Sequence, residues 1–270
     1  MRWYDLVPPR SPRAEDFPRE LAGDHTDYTP FIVLTAPRSG SSMLVQSLRA
    51  HAGIVSFGEL FNRKHIGFNT PGFANRNRRL QSWRNRHPVE FTKTMVYRGY
   101  AARIEAVGFK IFHLHLDRPQ LHLLRRYLVE KPGLRIIHLR RRNLLRTFLS
   151  RTIAGRTGIW GIASPEQRSP LRVRLEPAGC LEYFETVSRQ WAEYDEFFPP
   201  STLLDVNYET LVGAFGEEME RVQRFLGVER TDLPRLTIQQ EVRSLPEAIE
   251  NYAELESALA GTSWSVFLDG

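Results

Sequence analysis

The sequence predicts an α/β fold of three layers, a central, mostly parallel sheet flanked by helices. Three observations predict it. Short apolar, β-rich runs recur at residues 31–34, 107–112, 134–139 and 202–206. Three of them, the first, third and fourth, lead through a brief turn or loop into a helical pattern, at 41–48, 144–149 and 208–226. A chain of 270 residues with 41% hydrophobic and 25% charged residues can bury its core in one α/β domain. Residues 1–29, rich in proline and charge, are expected to form an extended N-terminal arm, with the single domain spanning 30–270.

Phe31, Ile32, Val33 and Leu34 form the first strand, Pro37 and Gly40 punctuate the loop, and the helix resumes at Ser41. A strand, loop and helix of this kind holds an anion, because loop N–H groups point inward and the helix presents the positive end of its dipole. Ser39, Ser41 and Ser42 add hydroxyl donors around Arg38. The loop departs from the pattern GxxxxGK[ST], which would put its first glycine at Thr35 and its lysine at Ser41. A triphosphate needs that lysine together with Mg²⁺. A single 5′-phosphate needs less, and here the charge sits on Arg38.

The run Pro37-Arg38-Ser39-Gly40-Ser41-Ser42 resembles the 5′-phosphosulfate loop of sulfotransferases, in a form similar to bacterial carbohydrate sulfotransferases of the nodulation-factor and trehalose type. The resemblance implies a P-loop-like fold. It also implies 3′-phosphoadenosine 5′-phosphosulfate (PAPS) as co-substrate, adenosine 3′,5′-bisphosphate (PAP) as product, and no required metal.

The next segment, residues 54–62, contains Gly58-Glu59-Leu60-Phe61, which resembles a segment of the same family on or just past the second strand. Glu59 is thereby implied as the catalytic base. Sulfuryl transfer needs the acceptor hydroxyl deprotonated as it attacks sulfur, and a carboxylate beside a desolvated site is expected to have a raised pKa. Pairing with Arg63 or Lys64 is the structural alternative. Residues 62–100 interleave Arg63, Lys64, Arg76, Arg78, Arg79, Arg84, Arg86 and Arg98 with Phe68, Phe73, Trp83, Phe91 and Tyr97. This basic insertion is expected either to cover an acceptor as a lid or to pack on the sheet.

Lys110 lies within the apolar run 107–112, where a lysine is costly unless it meets an anion. It resembles a lysine that stabilises charge developing on the transferred group. His113 and His115 follow at the strand end, share a face by alternation and compete with Glu59 for the role of base.

After the run 134–139 come Arg140, Arg141, Arg142 and Asn143, then a helix carrying Ser150. Arg142 and Ser150, eight residues apart, resemble the family's clamp on the nucleotide 3′-phosphate. The stretch from Tyr183 to Phe197 has aromatics at helical spacing and reads as core. Tyr208-Glu209-Thr210-Leu211 opens the last large helix, and the segment beginning at Arg243 resembles the family's C-terminal segment, with Arg243 a further nucleotide contact.

A net charge of +6 favours anionic ligands, which a bisphosphorylated nucleotide satisfies. No nucleic-acid motif accompanies it, so the expected partner is a small-molecule or carbohydrate acceptor. One cysteine, Cys180, excludes an intrachain disulfide and fits a cytoplasmic location. No 18-residue apolar run predicts a membrane span. Two rival classes remain: a P-loop kinase-like phosphotransferase, which lacks its lysine here, and a non-catalytic nucleotide- or nucleic-acid-binding protein, which would not need Glu59 and Lys110.

Overall fold

The computed structural model describes residues 21–69, 77–162 and 164–269. Five strands form the sheet: β2 (Thr29–Thr35), β3 (Ile54–Glu59), β4 (Ala106–Phe112), β5 (Arg135–Arg140) and β6 (Leu203–Asn207), in the order β3-β4-β2-β5-β6. All four pairings are parallel. A short strand, β1 (Ala22–His25), lies outside this sheet and bridges to Tyr100. The expected arm up to residue 20 is outside the described residues.

Helices cover both faces, which is why β2 reads as a continuous apolar run rather than an alternating one. Phe31 and Val33 pack with Met43, Leu44 and Leu48 of α1 (Ser41–Arg49) and with Val222 and Leu226 of α9 (Phe215–Leu226). Ile32 and Leu34 face the other way, onto Leu124 and Leu128 of α5 (His122–Glu130) and Tyr194 of α7 (Pro177–Phe197). Helix α7 begins six residues before the predicted Tyr183, with Pro177 at its first position, where a missing N–H costs nothing. A third cluster joins α6 (Leu144–Thr157) and α7 to α10 (Leu245–Ala248) and α11 (Tyr252–Leu259).

The topology sets the position of the site. From β2 the chain crosses through α1 to β3 on one flank, and from β4 it crosses through α5 to β5 on the other. The crossover direction reverses around β2, so the carboxyl ends of the strands border a crevice of the kind that binds ligands in open α/β sheets.

The described part of the basic insertion folds onto the sheet. It forms α2 (Arg78–Arg86), α3 (Pro88–Phe91) and a π-helical turn over Thr92–Val96. Phe68, Trp83 and Phe91 join the core cluster of Ile32 and Phe57, and buried Arg84 donates to the carbonyls of Leu60 at 2.5 Å and His65 at 3.0 Å. Phe73 and Arg76 lie outside the described residues. No helix among the described residues is long and apolar enough to cross a membrane.

Candidate active site

A cleft of about 960 Å³ runs across the carboxyl ends of the strands. At its centre is the loop between β2 and α1. Gly40 adopts a φ of +85°, and a Cβ there would run into the ring of Tyr208, so the turn requires glycine at this position. The amides of Met43 and Leu44 bond back to the Gly40 carbonyl. Those of Ser41 and Ser42 belong to the first helical turn, whose N–H groups have no intrahelical partner, and both residues line the cleft with Pro37 and Gly40. Ser39 does not. Its hydroxyl donates to the Ala36 carbonyl at 2.7 Å and meets the Thr35 hydroxyl, while Thr35 donates to Leu139 of β5 at 2.6 Å. The expected ligand donor is therefore an internal brace that ties the loop to the sheet.

Arg38 also has a positive φ, 69°, unfavourable for a residue with a side chain. Its guanidinium donates to Ser150 Oγ at 3.1 Å, to the Trp160 carbonyl and to Gln240 Oε1. Burial first, and the neighbouring Arg141 second, pull its pKa down to about 10. It stays cationic at neutral pH.

The arginine of this run that lines the cleft is Arg141, one residue before the expected Arg142. Arg142 is exposed, donates through Nε to Asn207 Oδ1 at 3.3 Å and does not line the cleft. Arg141 does: it is buried, its Nη1 reaches the Arg38 carbonyl at 3.4 Å, and it stacks 4.6 Å above the Tyr208 ring. Ile137 and Leu139 of β5 face the loop side of the sheet, and Arg141 continues their parity. That alternation is the signal the sequence offered. Ser150 lines the cleft as expected. Arg243 does not, because Glu241 and the carbonyls of Pro170 and Leu171 consume its guanidinium.

At the other end of the cleft, Glu59 Oε1 lies 3.0 Å from Lys110 Nζ. Neither Arg63 nor Lys64 pairs with Glu59 among the described residues. The β3–β4 register runs Phe57 to Phe109 and then Glu59 to Lys110, so Gly58 is the extra residue of a bulge. Val55 and Phe57 face the core cluster, and strict alternation would send Glu59 there too; the bulge turns it to the face of Lys110. Asn62 Nδ2 donates to Glu59 Oε2 at 3.0 Å. Burial alone raises the Glu59 pKa, but Lys110 and the Asn62 hydrogen bond together outweigh it, leaving the carboxyl below its ordinary value of 4.5. The raised pKa expected from desolvation is thus reversed, and Glu59 is ionised at neutral pH.

The two histidines part company. The chain turns into α4 (His113–Leu116) at His113, so the pair lies about 200° apart around a helix instead of sharing a strand face. His115 is buried in the cleft wall against Phe112, and burial, then Arg118, lower its pKa to about 3. His113 points away, its Nε2 2.9 Å from His138 Nε2 and its ring against Tyr194. Burial, then His138, holds it well below the ordinary histidine range. His138 Nδ1 in turn meets Asp195 Oδ1 at 3.1 Å. His113 does not line the cleft.

Sequence reasoning also missed the segment 235–241, Trp160 and Arg118, all of which line the cleft. They lie in connections whose composition carries no periodic or motif signal.

The chain matches the model of the sulfotransferase family over residues 30–232. It is 30% identical over 245 residues to Nodulation protein H of Rhizobium tropici, covering 89% of this chain and 93% of that protein. It is 27% identical over 253 residues to Nodulation protein H of Rhizobium meliloti strain 1021, covering 89% and 95%. Among solved structures, a sulfotransferase from Alicyclobacillus acidocaldarius superposes with a TM-score of 0.49 at 16% identity, covering 89% of this chain and 96% of that one.

Proposed function

The chain belongs to the sulfotransferase family, and from that membership we propose that it moves the sulfuryl group of PAPS to a hydroxyl of a small-molecule, sugar or lipid acceptor. One observation carries the reading: an ionised carboxylate paired with a lysine and a phosphate-type loop open into the same cleft.

In this reading Arg38, with Ser41, Ser42 and the first-turn amides of α1, receives the 5′-phosphosulfate. Arg141 and Ser150 receive the 3′-phosphate. Glu59 accepts the proton of the acceptor hydroxyl as that oxygen bonds to sulfur and the bond from sulfur to the 5′-phosphate oxygen breaks. Lys110, beside Glu59, faces the negative charge that spreads over the transferred group and the leaving oxygen, and as that charge grows the ammonium shifts from the carboxylate toward it. The products are the sulfated acceptor and PAP.

The test is incubation of the protein with labelled PAPS and a panel of hydroxylated acceptors, read by mass. The expected result is an acceptor heavier by one sulfuryl group, an equal amount of PAP, and no loss of rate with a chelator present. Phosphoryl transfer from ATP and Mg²⁺ without sulfuryl transfer from PAPS would contradict the proposal.

A further inference from the structure

The cleft holds more positive charge than a sulfuryl donor needs. Two carboxylates line it, and both are already paired, Glu59 with Lys110 and Glu241 with Arg243. Near the loop and Ser150, the cations Arg38, Arg141, Arg151 and Arg235 form no salt bridge among the described residues, Glu209 being the carboxylate whose field reaches Arg141. A nucleotide with a phosphate monoester and a phosphosulfate brings roughly four negative charges, which these four can balance.

Three further cations stand at the opposite end, around Glu59. Arg63 and Lys64 follow Asn62 in the turn that leaves β3, and Arg118 follows α4; all three line the cleft, and none forms an ion pair among the described residues. Arg118 is fixed there by an Nη1 hydrogen bond to the Phe61 carbonyl at 2.9 Å, while its buried Nε has no hydrogen-bond partner among the described residues. Burial, then the charge of Arg63, lower the Arg118 pKa. Like charges gathered beside a partly desolvated site are unfavourable until an anion joins them. In the sulfuryl-transfer reading above, the donor's two phosphates are held by other cations, and its sulfuryl group faces Lys110. Adjacent strands are about 4.8 Å apart, so in the order β3-β4-β2-β5 the turn after β3 is two strand spacings from the loop and three from Arg141.

We infer that this end of the cleft takes an acceptor that carries an acidic group, a carboxylate, phosphate or sulfate, held by Arg63, Lys64 and Arg118 while its hydroxyl meets Glu59. The inference rests on the sulfuryl-transfer reading above, and names its acceptor class. Lys64 and Arg63 are exposed and supply the attraction; Arg118 supplies a fixed, directional donor.

The test titrates the protein by calorimetry, with and without saturating PAP, with glucuronate, glucose 6-phosphate and 4-hydroxybenzoate beside glucose and 4-hydroxybenzyl alcohol. At least one acid is expected to bind about tenfold or more tightly than its uncharged counterpart, since two or three cations act on one charge. The R63E/K64E double variant, altered only at exposed positions, should abolish or invert that preference while PAP affinity is unchanged. Acids that bind no better than the uncharged molecules, or a preference that survives charge reversal, would overturn the inference. Loss of PAP binding by the unmodified protein would instead contradict the donor reading, and the titrations without PAP would still decide this one.

Discussion

Glu59 and Lys110 face each other because the ladder between β3 and β4 slips by one residue at Gly58. Without the slip, Glu59 would share the parity of Val55 and Phe57 and be driven into the core. One glycine therefore converts a core-facing position into a charged pair at the mouth of the cleft. The same pair settles the protonation state of the carboxyl, because the lysine offsets what burial does to it.

Gly58→Ala tests the bulge. An added Cβ would lie 2.5 Å from Asn69 Nδ2 and 2.7 Å from the Gly67 carbonyl oxygen, so the strand must shift. Displacing a catalytic group by about 1 Å costs on the order of 10²-fold. Turnover should fall by about that factor, with a melting temperature lowered by roughly 2–4 °C for each kcal/mol of stability lost. Full turnover in a folded variant would contradict the role assigned to the bulge.

Lys110→Met tests the pair. Burial then acts on Glu59 unopposed by the lysine, so the carboxyl pKa rises. In the native protein the acid limb of the rate profile should lie below pH 4.5; in the variant it should move upward, together with a lower maximal rate. A pH–rate profile at saturating donor reads both, and an unmoved limb would contradict the coupling.

Arg141→Ala and Arg142→Ala separate the neighbours. Hydrogen bonds to charged groups contribute about 1.5–3 kcal/mol, so the first variant should lose roughly tenfold or more in PAP affinity and approach its affinity for adenosine 5′-monophosphate. The second should bind PAP almost normally. Calorimetry showing the reverse would return the clamp to Arg142.

The buried histidines set a pH dependence of stability. His115 and His138 have pKa values near 3, against 6.5 when unfolded, and His113 is also well below 6.5. Between those values the unfolded chain binds more protons, so stability is full above pH 6.5 and falls as pH drops toward 3, by up to roughly 1.4 kcal/mol per pH unit for each histidine. Thermal melting from pH 7.5 to 4.5 should show this decline, and His113→Gln should lessen its steepness. A flat profile would contradict neutral burial.

Most of the architecture was legible because a parallel sheet buried on both faces leaves long apolar runs, continuous in the middle of β2 and broken only by Lys110 in β4. The phosphate loop was legible because Gly40 has to be glycine and Pro37 and the serines punctuate it. Which of Arg141 and Arg142 lines the cleft turned on parity just past a strand end, which a run of three arginines conceals. His113 and His115 do not share a face because the helix starts one residue after β4 ends, a boundary that composition does not mark. The depressed pKa of Glu59 follows from a partner fifty-one residues away in sequence, which no local pattern contains.

The most direct measurement is turnover of Glu59→Gln beside His115→Asn at saturating PAPS, with PAP affinity and thermal melting measured on the same samples. Glutamine keeps the size and hydrogen bonding of Glu59 but removes its basicity. The account predicts that Glu59→Gln loses about 10²- to 10⁴-fold in turnover while PAP binding and folding stay intact, and that His115→Asn retains substantial activity. A Glu59→Gln protein near full activity beside an inactive, folded His115→Asn would contradict it.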